Sequence, residues 1–286
     1  MKKAFRFGVV TGGASSRSAW IALAQRIEEL GYASLLVPDV LGTPLATLPA
    51  LAVAATATTT LRVGSYVCVN DYRQPALLAR EFATLDLLSE GRVELGLGAG
   101  NWPGDYQQMG LSFDQPGVRV SRFAEGLSII KQFFTSESVT FSGTYYTTTA
   151  LRPVPRAVQQ PHPPIMIGSG GRRMLTMAAR EADIILPGSI DETDLAEKIG
   201  WIREAAGERF EHIELGQPAF GIALTDSPAE VLPFSGGMQA EALPMTTEQA
   251  VAYLLEQREN LGISYIHVQQ RQLENFAPVV ARLHGK

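Results

Sequence analysis

The chain has 286 residues, 45% of them hydrophobic and 19% charged, with a formal net charge of -5. That length allows a large buried core. The acidic balance and the lack of a Lys/Arg cluster exclude a nucleic-acid surface, and a single cysteine, Cys68, excludes an internal disulfide framework.

The opening stretch, MKKAFRFGVVTGG, is too short and too broken by Arg6 for a signal peptide, and no long apolar run follows it. A reducing, cytoplasmic setting without membrane contact is therefore expected. The four histidines are scattered and form no set with metal-ligand spacing, so no metal is expected.

Strand-like apolar runs alternate with segments of helical period. Phe5 to Val10 is the first strand. Ser18 to Leu30 is a helix with apolar Trp20, Leu23, Ala24, Ile27 and Leu30 on one face, ended by Gly31. Ser34 to Pro38 is a strand, Pro49 to Thr59 a helix, Leu61 to Val69 a strand, and Pro75 to Leu88 a helix with proline at its start. Arg92 to Leu97 and Arg119 to Phe134 repeat the pair. The stretch SVTFSGTYYTTTALRPV then reads as a β-hairpin.

The alternation resumes with strands at Ile165 to Gly168, Asp183 to Leu186, Pro218 to Leu224 and Tyr265 to Val268. The helices between and after them are Arg172 to Glu181, Thr193 to Phe210, Thr246 to Leu261 and Leu273 to Leu283. Eight such β/α units with continuously apolar strands predict one TIM-barrel domain over 1–286, a doubly wound open sheet being the alternative. Residues 225–245, rich in Pro, Gly and Ser, read as a long loop of the kind that forms lids.

Barrel active sites lie where strands pass into β→α loops. The sharpest such junction is PPIMIGSGGRRMLTMAAREAD, a strand, a glycine turn and a helix in direct succession. Free N–H groups at Gly168, Ser169, Gly170 and Gly171, the helix N-terminus and Arg172 together suit phosphate or another anion; a plain turn is the alternative.

Asp39, at the end of the second strand, reads as a general base, as an acceptor for a bound ring, or as an N-cap. Asp71 and Arg73 are placed to pair with each other. Trp102 and Tyr106 suit either stacking on a flat ligand or packing, and Cys68 reads as a small apolar strand residue. LGLGAGNWPGDY spaces Gly96, Gly98 and Gly100 two apart at the end of a strand. No Ser-His-Asp or Cys-His set can be assembled. A site poor in acids and bases, yet able to hold a phosphate and a flat ring, suits an enzyme whose cofactor carries the chemistry. An isomerase or aldolase barrel would want a Lys or Glu at a strand end, and the strand ends offer neither.

The same stretches resemble the luciferase-like monooxygenase superfamily of flavin and deazaflavin enzymes. The resemblance lies in LGYASLLVPDV, in LDLLSEGRVELGLGAG, in RVSRFAEGLSIIKQFF, in FSGTYY and in PPIMIGSGGRRMLTMAAREAD. Through DYRQPALLAREFATLD and GGRRMLTMAAREAD the chain is most similar to the oxidoreductases that use coenzyme F420.

The resemblance implies a TIM barrel and a ring lying across the strand ends. Asp39, the backbone of Tyr66 and Val67, and the turn of Gly98, Ala99, Gly100 and Asn101 would meet that ring. Asp105 would reach a polar atom of it, and the phosphate would sit on Gly168 to Arg172. The resemblance further implies a cis peptide at Tyr66–Val67, backbone room for the cofactor at Gly98 and Gly100, a homodimer, and hydride transfer between coenzyme F420 and a small organic substrate. The alternatives are an FMN-dependent monooxygenase and a non-catalytic cofactor-binding relative. Members that use the deazaflavin often carry Asp-His where this chain has Asp39-Val40, so no proton-donating histidine is carried over.

Overall fold

The computed structural model describes residues 3–188, 191–219, 222–225 and 243–286. In chain order its strands are β1 (Arg6–Val10), β2 (Ser34–Val37), β3 (Arg62–Ser65), β4 (Cys68–Val69), β5 (Val93–Gly98), β6 (Val139–Ser142), β7 (Thr147–Leu151), β8 (Ile165–Ser169), β9 (Ile184–Pro187), β10 (Glu214–Pro218), β11 (Ile222–Leu224), β12 (Leu243–Met245) and β13 (Ile263–Gln269). The helices are α1 (Arg17–Glu29), α2 (Thr47–Ala57), α3 (Pro75–Leu88), α4 (Pro103–Gln108), α5 (Pro116–Thr135), α6 (Arg172–Glu181), α7 (Glu192–Ala206), α8 (Thr247–Leu261) and α9 (Leu273–Leu283).

Parallel pairing runs β3-β2-β1-β13-β10-β9-β8-β5, and β3 pairs back onto β5, so the sheet closes. Counting β3 and β4 as one interrupted strand, eight strands form the barrel, each followed by helix, and the fold is the expected TIM barrel. Most of the core lies between barrel and helices, where Phe7, Val9, Leu35, Val63, Leu95 and Ile167 meet Trp20, Leu51, Phe82 and Phe133. A smaller apolar cluster of Leu36, Met166, Ile184, Leu186 and Tyr265 fills the barrel interior, with Val10, Tyr66 and Val67 packed on it.

Below that cluster the interior is ionic. Glu94 is fully buried and takes hydrogen bonds from Arg6 Nη1 at 2.7 Å, Arg62 Nε at 2.9 Å and Tyr265 Oη at 2.8 Å. Burial alone would raise this carboxyl, but the two guanidinium groups outweigh it and hold it below the usual carboxylate range. Arg6 reaches on to Glu214 with Nε and Nη2, so every charge in this plug has a partner.

The structure departs from the sequence reading in several places. The seventh barrel strand is Glu214–Pro218 rather than Pro218 to Leu224. ELGQP has little strand character of its own, and it is pairing with both β9 and β13 that makes it a strand. Ile222–Leu224 instead pairs in parallel with Leu243–Met245 in a separate two-stranded sheet. The helix expected to reach Phe210 ends at Ala206, where Gly207 takes φ +54°. The third strand breaks at Tyr66–Val67, where the peptide is cis as the resemblance implied. Helix α4 was not foreseen. Residues 226–242, most of the expected lid loop, lie outside the described residues.

The hairpin β6–β7 is antiparallel as expected. It is tied to α5 by Glu125, whose carboxylate accepts the backbone N–H groups of Thr144, Tyr145 and Tyr146.

Candidate active site

A cleft of about 890 Å³ opens at the C-terminal ends of the strands. Its floor is Tyr66, Val67, Gly98, Ala99 and Leu186, and Gly168 to Met174 form one side. Of the residues assigned to a site from sequence, the cleft brings together Asp39, Tyr66, Val67, Gly98, Ala99, Gly100, Asn101, Gly168, Ser169, Gly170, Gly171 and Arg172.

Asp105 is placed elsewhere: it is not part of the lining, and its Oδ2 accepts the backbone N–H of Leu41 at 3.1 Å, tying α4 to the loop after β2. Tyr106 is fully buried and points away, donating to Asp71 Oδ2 at 3.0 Å and packing edge-on against Tyr72 and Phe113. Trp102 lines the cleft and is 46% exposed.

The glycine turn has the structure of an anion site. Helix α6 spans ten residues, its N-cap is Gly171, and no side chain caps it. Helices α1, α3, α7 and α8 are capped by Ser16, Gln74, Asp191 and Thr246, whereas α2, α4, α5 and α9, like α6, have no side-chain cap. The first N–H groups of α6 therefore keep their donor capacity beside the cleft.

Two residues that were not singled out in the sequence strengthen this end. Lys198, only 8% exposed, donates to Gly188 O at 3.1 Å and Asp194 Oδ2 at 2.6 Å, and its Nζ lies about 3.4 Å from where a Cβ on Gly170 would stand. Arg119, also 8% exposed, lines the cleft, donates to Asp114 O and lies over the ring of Phe113. Neither announces itself in sequence: an Asp194–Lys198 spacing on a helix reads as a solvated pair, and Arg119 reads as one more polar helix position.

Arg173 is held by Gly117 O and Ser121 Oγ, whereas Arg172 is 66% exposed and lies over the ring of Trp201 at 5.5 Å.

Asp39 is fully committed. Arg73 donates Nη1 to Oδ2 at 2.6 Å and Nη2 to Oδ1 at 2.9 Å, Val69 N–H adds 3.0 Å to Oδ2, and Thr47 Oγ1 adds 3.2 Å to Oδ1. The expected Asp71–Arg73 pair is thus replaced by two others, Asp39–Arg73 and Asp71–Arg122. The carboxylate braces the β4 end of the cleft floor against the end of β2, and it caps no helix.

The glycine series of LGLGAGNWPGDY has a packing explanation of its own, and Gly98 and Gly100 also line the cleft. A Cβ on Gly96 would strike the carbonyl of Ser65, one on Gly98 would lie 2.8 Å from Val67 Cγ2, and one on Gly100 would strike Tyr106 Oη, with φ +81° besides. The three glycines let β5 and its turn close onto the cis bulge and onto α4.

Cys68 is fully buried, and burial pushes its thiol up to about 12, so it stays protonated. His267 is fully buried between the rings of Tyr66 and Tyr265, and neither ring nitrogen has a hydrogen-bond partner. Burial brings its pKa down to about 3, so the imidazole is neutral. Among the described residues no group of His, Cys, Asp and Glu could hold a metal ion, and no helix is long and apolar enough to cross a membrane.

The sequence profile described as luciferase-like monooxygenase matches residues 4–272. The chain belongs to the luciferase-like monooxygenase family. Among its luciferase-like relatives, the F420-dependent glucose-6-phosphate dehydrogenase of Amycolatopsis mediterranei is 32% identical over 57% of this chain and 51% of its own length. The FMNH(2)-dependent dimethylsulfone monooxygenase of Pseudomonas putida is 27% identical over 52% of this chain and 41% of its own. The chain thus matches about half of the first of these relatives and 41% of the second. In structure it is similar to the coenzyme F420-dependent tetrahydromethanopterin reductase of Methanopyrus kandleri. The TM-score is 0.84 at 18% identity, covering 98% of this chain and all of that one, a likeness of fold.

Proposed function

We propose that this chain binds a phosphorylated deazaflavin across its strand ends and moves a hydride between coenzyme F420 and a small organic substrate. The observation that carries the reading is the uncapped N-terminus of α6 at the GSGG turn, opening onto an apolar cleft wide enough for a flat ring. The residues fit such a group. Gly170 and the first N–H groups of α6 would hold the phosphate, with Arg172 and Lys198 adding positive charge; the Gly171 N–H donates to Ser169 Oγ at 3.2 Å and would have to exchange that partner to join them. Tyr66, Val67, Gly98 and Ala99 would lie against the ring.

Two-electron hydride chemistry is what the cofactor supplies when bound. The protein's part is to orient and to exclude water. Arg73 fixes Asp39, Asp39 fixes the N–H of Val69, and the floor is thereby held at a set height. Asp39 therefore serves as a positioning residue in this reading, since a general base would need an uncommitted lone pair.

Coenzyme F420 is favoured over FMN because the greater of the two identities belongs to an F420-dependent relative. FMN with monooxygenase activity is the alternative. The test has two arms. Without oxygen, the protein is mixed with a candidate substrate and either reduced cofactor, and the return of oxidised absorbance is followed. With oxygen admitted, the oxygenated product is measured instead, because free reduced FMN reoxidises in air on its own. Turnover with the deazaflavin supports the reading; turnover with reduced FMN alone, and only with oxygen present, moves the protein to the monooxygenases.

A homodimer is proposed as well, because Val53 on α2 and Leu77, Leu87 and Leu88 on α3 stand 37–68% exposed. Light scattering at micromolar concentration tests it, and a monomer would contradict it.

A further inference from the structure

Two buried cations flank the glycine turn after β8, and their surroundings differ. Strand β8 runs between β5 and β9. Lys198 reaches the turn from α7, the helix that follows β9, and has its counter-charge in Asp194 Oδ2 at 2.6 Å. Arg119 lines the cleft from α5, the long helix that follows β5 and α4. It is 8% exposed, its Nε has no hydrogen-bond partner, and its Nη1 goes to a backbone carbonyl, Asp114 O. The carboxylates of Asp71 and Asp114 both accept from Arg122 instead. Among the described residues Arg119 forms no ion pair.

A guanidinium this deeply buried, with neither counter-charge nor full hydrogen bonding, is costly. It is also held still, 4.0 Å over the ring of Phe113 and tied to the carbonyl of Asp114. A cation that is buried, fixed and unsatisfied is arranged for an anion that arrives from outside.

Its neighbours point the same way. Helix α5 begins at Pro116, and Gln115 gives it no side-chain cap. Pro116 has no N–H, and those of Val118 and Arg119 bond to Gln115 O, which leaves the Gly117 N–H for a ligand. Gly117 lines the cleft. Arg173, in the first turn of α6, crosses to α5 by donating to Gly117 O at 2.9 Å and Ser121 Oγ at 2.8 Å. It too forms no ion pair among the described residues.

We infer that the cleft has a second anion subsite, built from Arg119, Arg173 and the Gly117 N–H, that takes a carboxylate. The planar fork of a guanidinium matches a carboxylate, and one buried charge balances it. The subsite is separate from the phosphate site. A phosphate at Gly170 is served by the α6 N-terminus and by Lys198, whereas Arg119 stands on the opposite side of the turn. Two ligands can bring a carboxylate here: the glutamate-bearing tail that coenzyme F420 carries beyond its phosphate, or a carboxylate substrate. The first source rests on the deazaflavin reading given above, and the second does not.

Arg119→Met and Arg119→Lys test the inference against the parent. Oxidised coenzyme F420 and FMN are titrated separately with fluorescence followed, and succinate is titrated by calorimetry with and without saturating cofactor. Each affinity is taken as variant relative to parent, so the difference between the two rings cancels. If the tail fills the subsite, Arg119→Met weakens coenzyme F420 about tenfold or more, and FMN, which ends at its phosphate, less than about threefold. If a substrate fills it, both cofactors keep their affinity, and succinate binds the cofactor-loaded parent at least about tenfold tighter than the loaded variant. In either case Arg119→Lys, which keeps the charge and loses the fork, recovers only part of the loss. Arg173→Gln changes an exposed side chain. It should show the same pattern in smaller measure, and it carries the test if Arg119→Met does not fold.

An equal loss of both cofactors would place Arg119 in the phosphate site or in the fold and overturn the inference. Unchanged affinities for coenzyme F420, FMN and succinate in every variant would overturn it as well. A failure of the deazaflavin reading shows separately, as a parent that does not bind coenzyme F420, and the succinate titration then still reads the subsite.

Discussion

Arg73 grips Asp39 with both terminal nitrogens, at 2.6 and 2.9 Å, and so links the end of β2 to the turn after β4 across the rim of the cleft. Asp39 is nearly buried and Arg73 half-buried. Removing the cation leaves a carboxylate with two of its four hydrogen bonds in a site of low polarity. Arg73→Met should therefore destabilise the fold by about 3 kcal/mol, and Asp39→Asn by less, because the amide needs no counter-charge. Urea unfolding followed by circular dichroism checks both, and equal effects would contradict the assignment.

Gly96→Ala should cost at least about 2 kcal/mol. The new methyl meets the carbonyl of Ser65, a backbone atom that cannot rotate aside. Gly171→Ala is the control: a Cβ there meets nothing within 4 Å, so its thermal transition should stay close to that of the parent.

Much of this frame is legible in the sequence, and the reasons can be given residue by residue. Pro75–Leu88, Arg172–Glu181 and Leu273–Leu283 match the expected helices end to end, because a proline, a glycine turn or a sharp amphipathic period marks each boundary. Glu214–Pro218 was missed because its strand state comes from its neighbours and not from its own residues. The glycine turn was legible because strand, turn and helix are contiguous. The pairs Asp39–Arg73 and Asp71–Arg122 were not, since each joins residues 34 or 51 positions apart and either arginine could have satisfied either acid. Lys198 was hidden for the same reason: its proximity to Gly170 exists only once β8 and β9 stand side by side.

Glu28 joins α1 to the segment before β3, its Oε1 accepting the backbone N–H groups of Thr59, Thr60 and Leu61 at 2.9, 2.6 and 2.9 Å. Burial pushes this carboxyl up, but the three donors outweigh it and bring it down to about 2. A carboxyl with a depressed folded pKa contributes stability above its unfolded value of 4.5 and loses it as pH falls towards 2. Glu28→Gln should cost about 1–2 kcal/mol at pH 7 and show a flatter loss of stability between pH 4.5 and 2. An unchanged acid profile would contradict this role.

His267 acts in a higher window. Its folded pKa of about 3 lies below the ordinary 6.5, so the unfolded chain binds the extra proton between those values. Its contribution is fully present above pH 6.5 and is lost as pH falls towards 3, at up to about 1.4 kcal/mol per pH unit. His267→Leu should flatten the stability profile between pH 6 and 5, above the range where Glu28 titrates. Chemical denaturation at half-unit steps reads the slope, and parallel profiles for parent and variant would contradict the burial of a neutral imidazole.

The central claim is that the α6 N-terminus holds the phosphate of a deazaflavin. Gly171→Asp tests it most directly. The site has room for a side chain, Asp is a favoured N-cap, and the new carboxylate would occupy the donors that the phosphate needs. Oxidised coenzyme F420 and FMN would be titrated separately into parent and variant, with absorbance and fluorescence followed. The account predicts saturable deazaflavin binding by the parent, at least about a hundredfold loss in the variant, and an equal or higher thermal transition for the variant. Deazaflavin binding that survives Gly171→Asp unchanged, or a parent that binds neither cofactor, would contradict it.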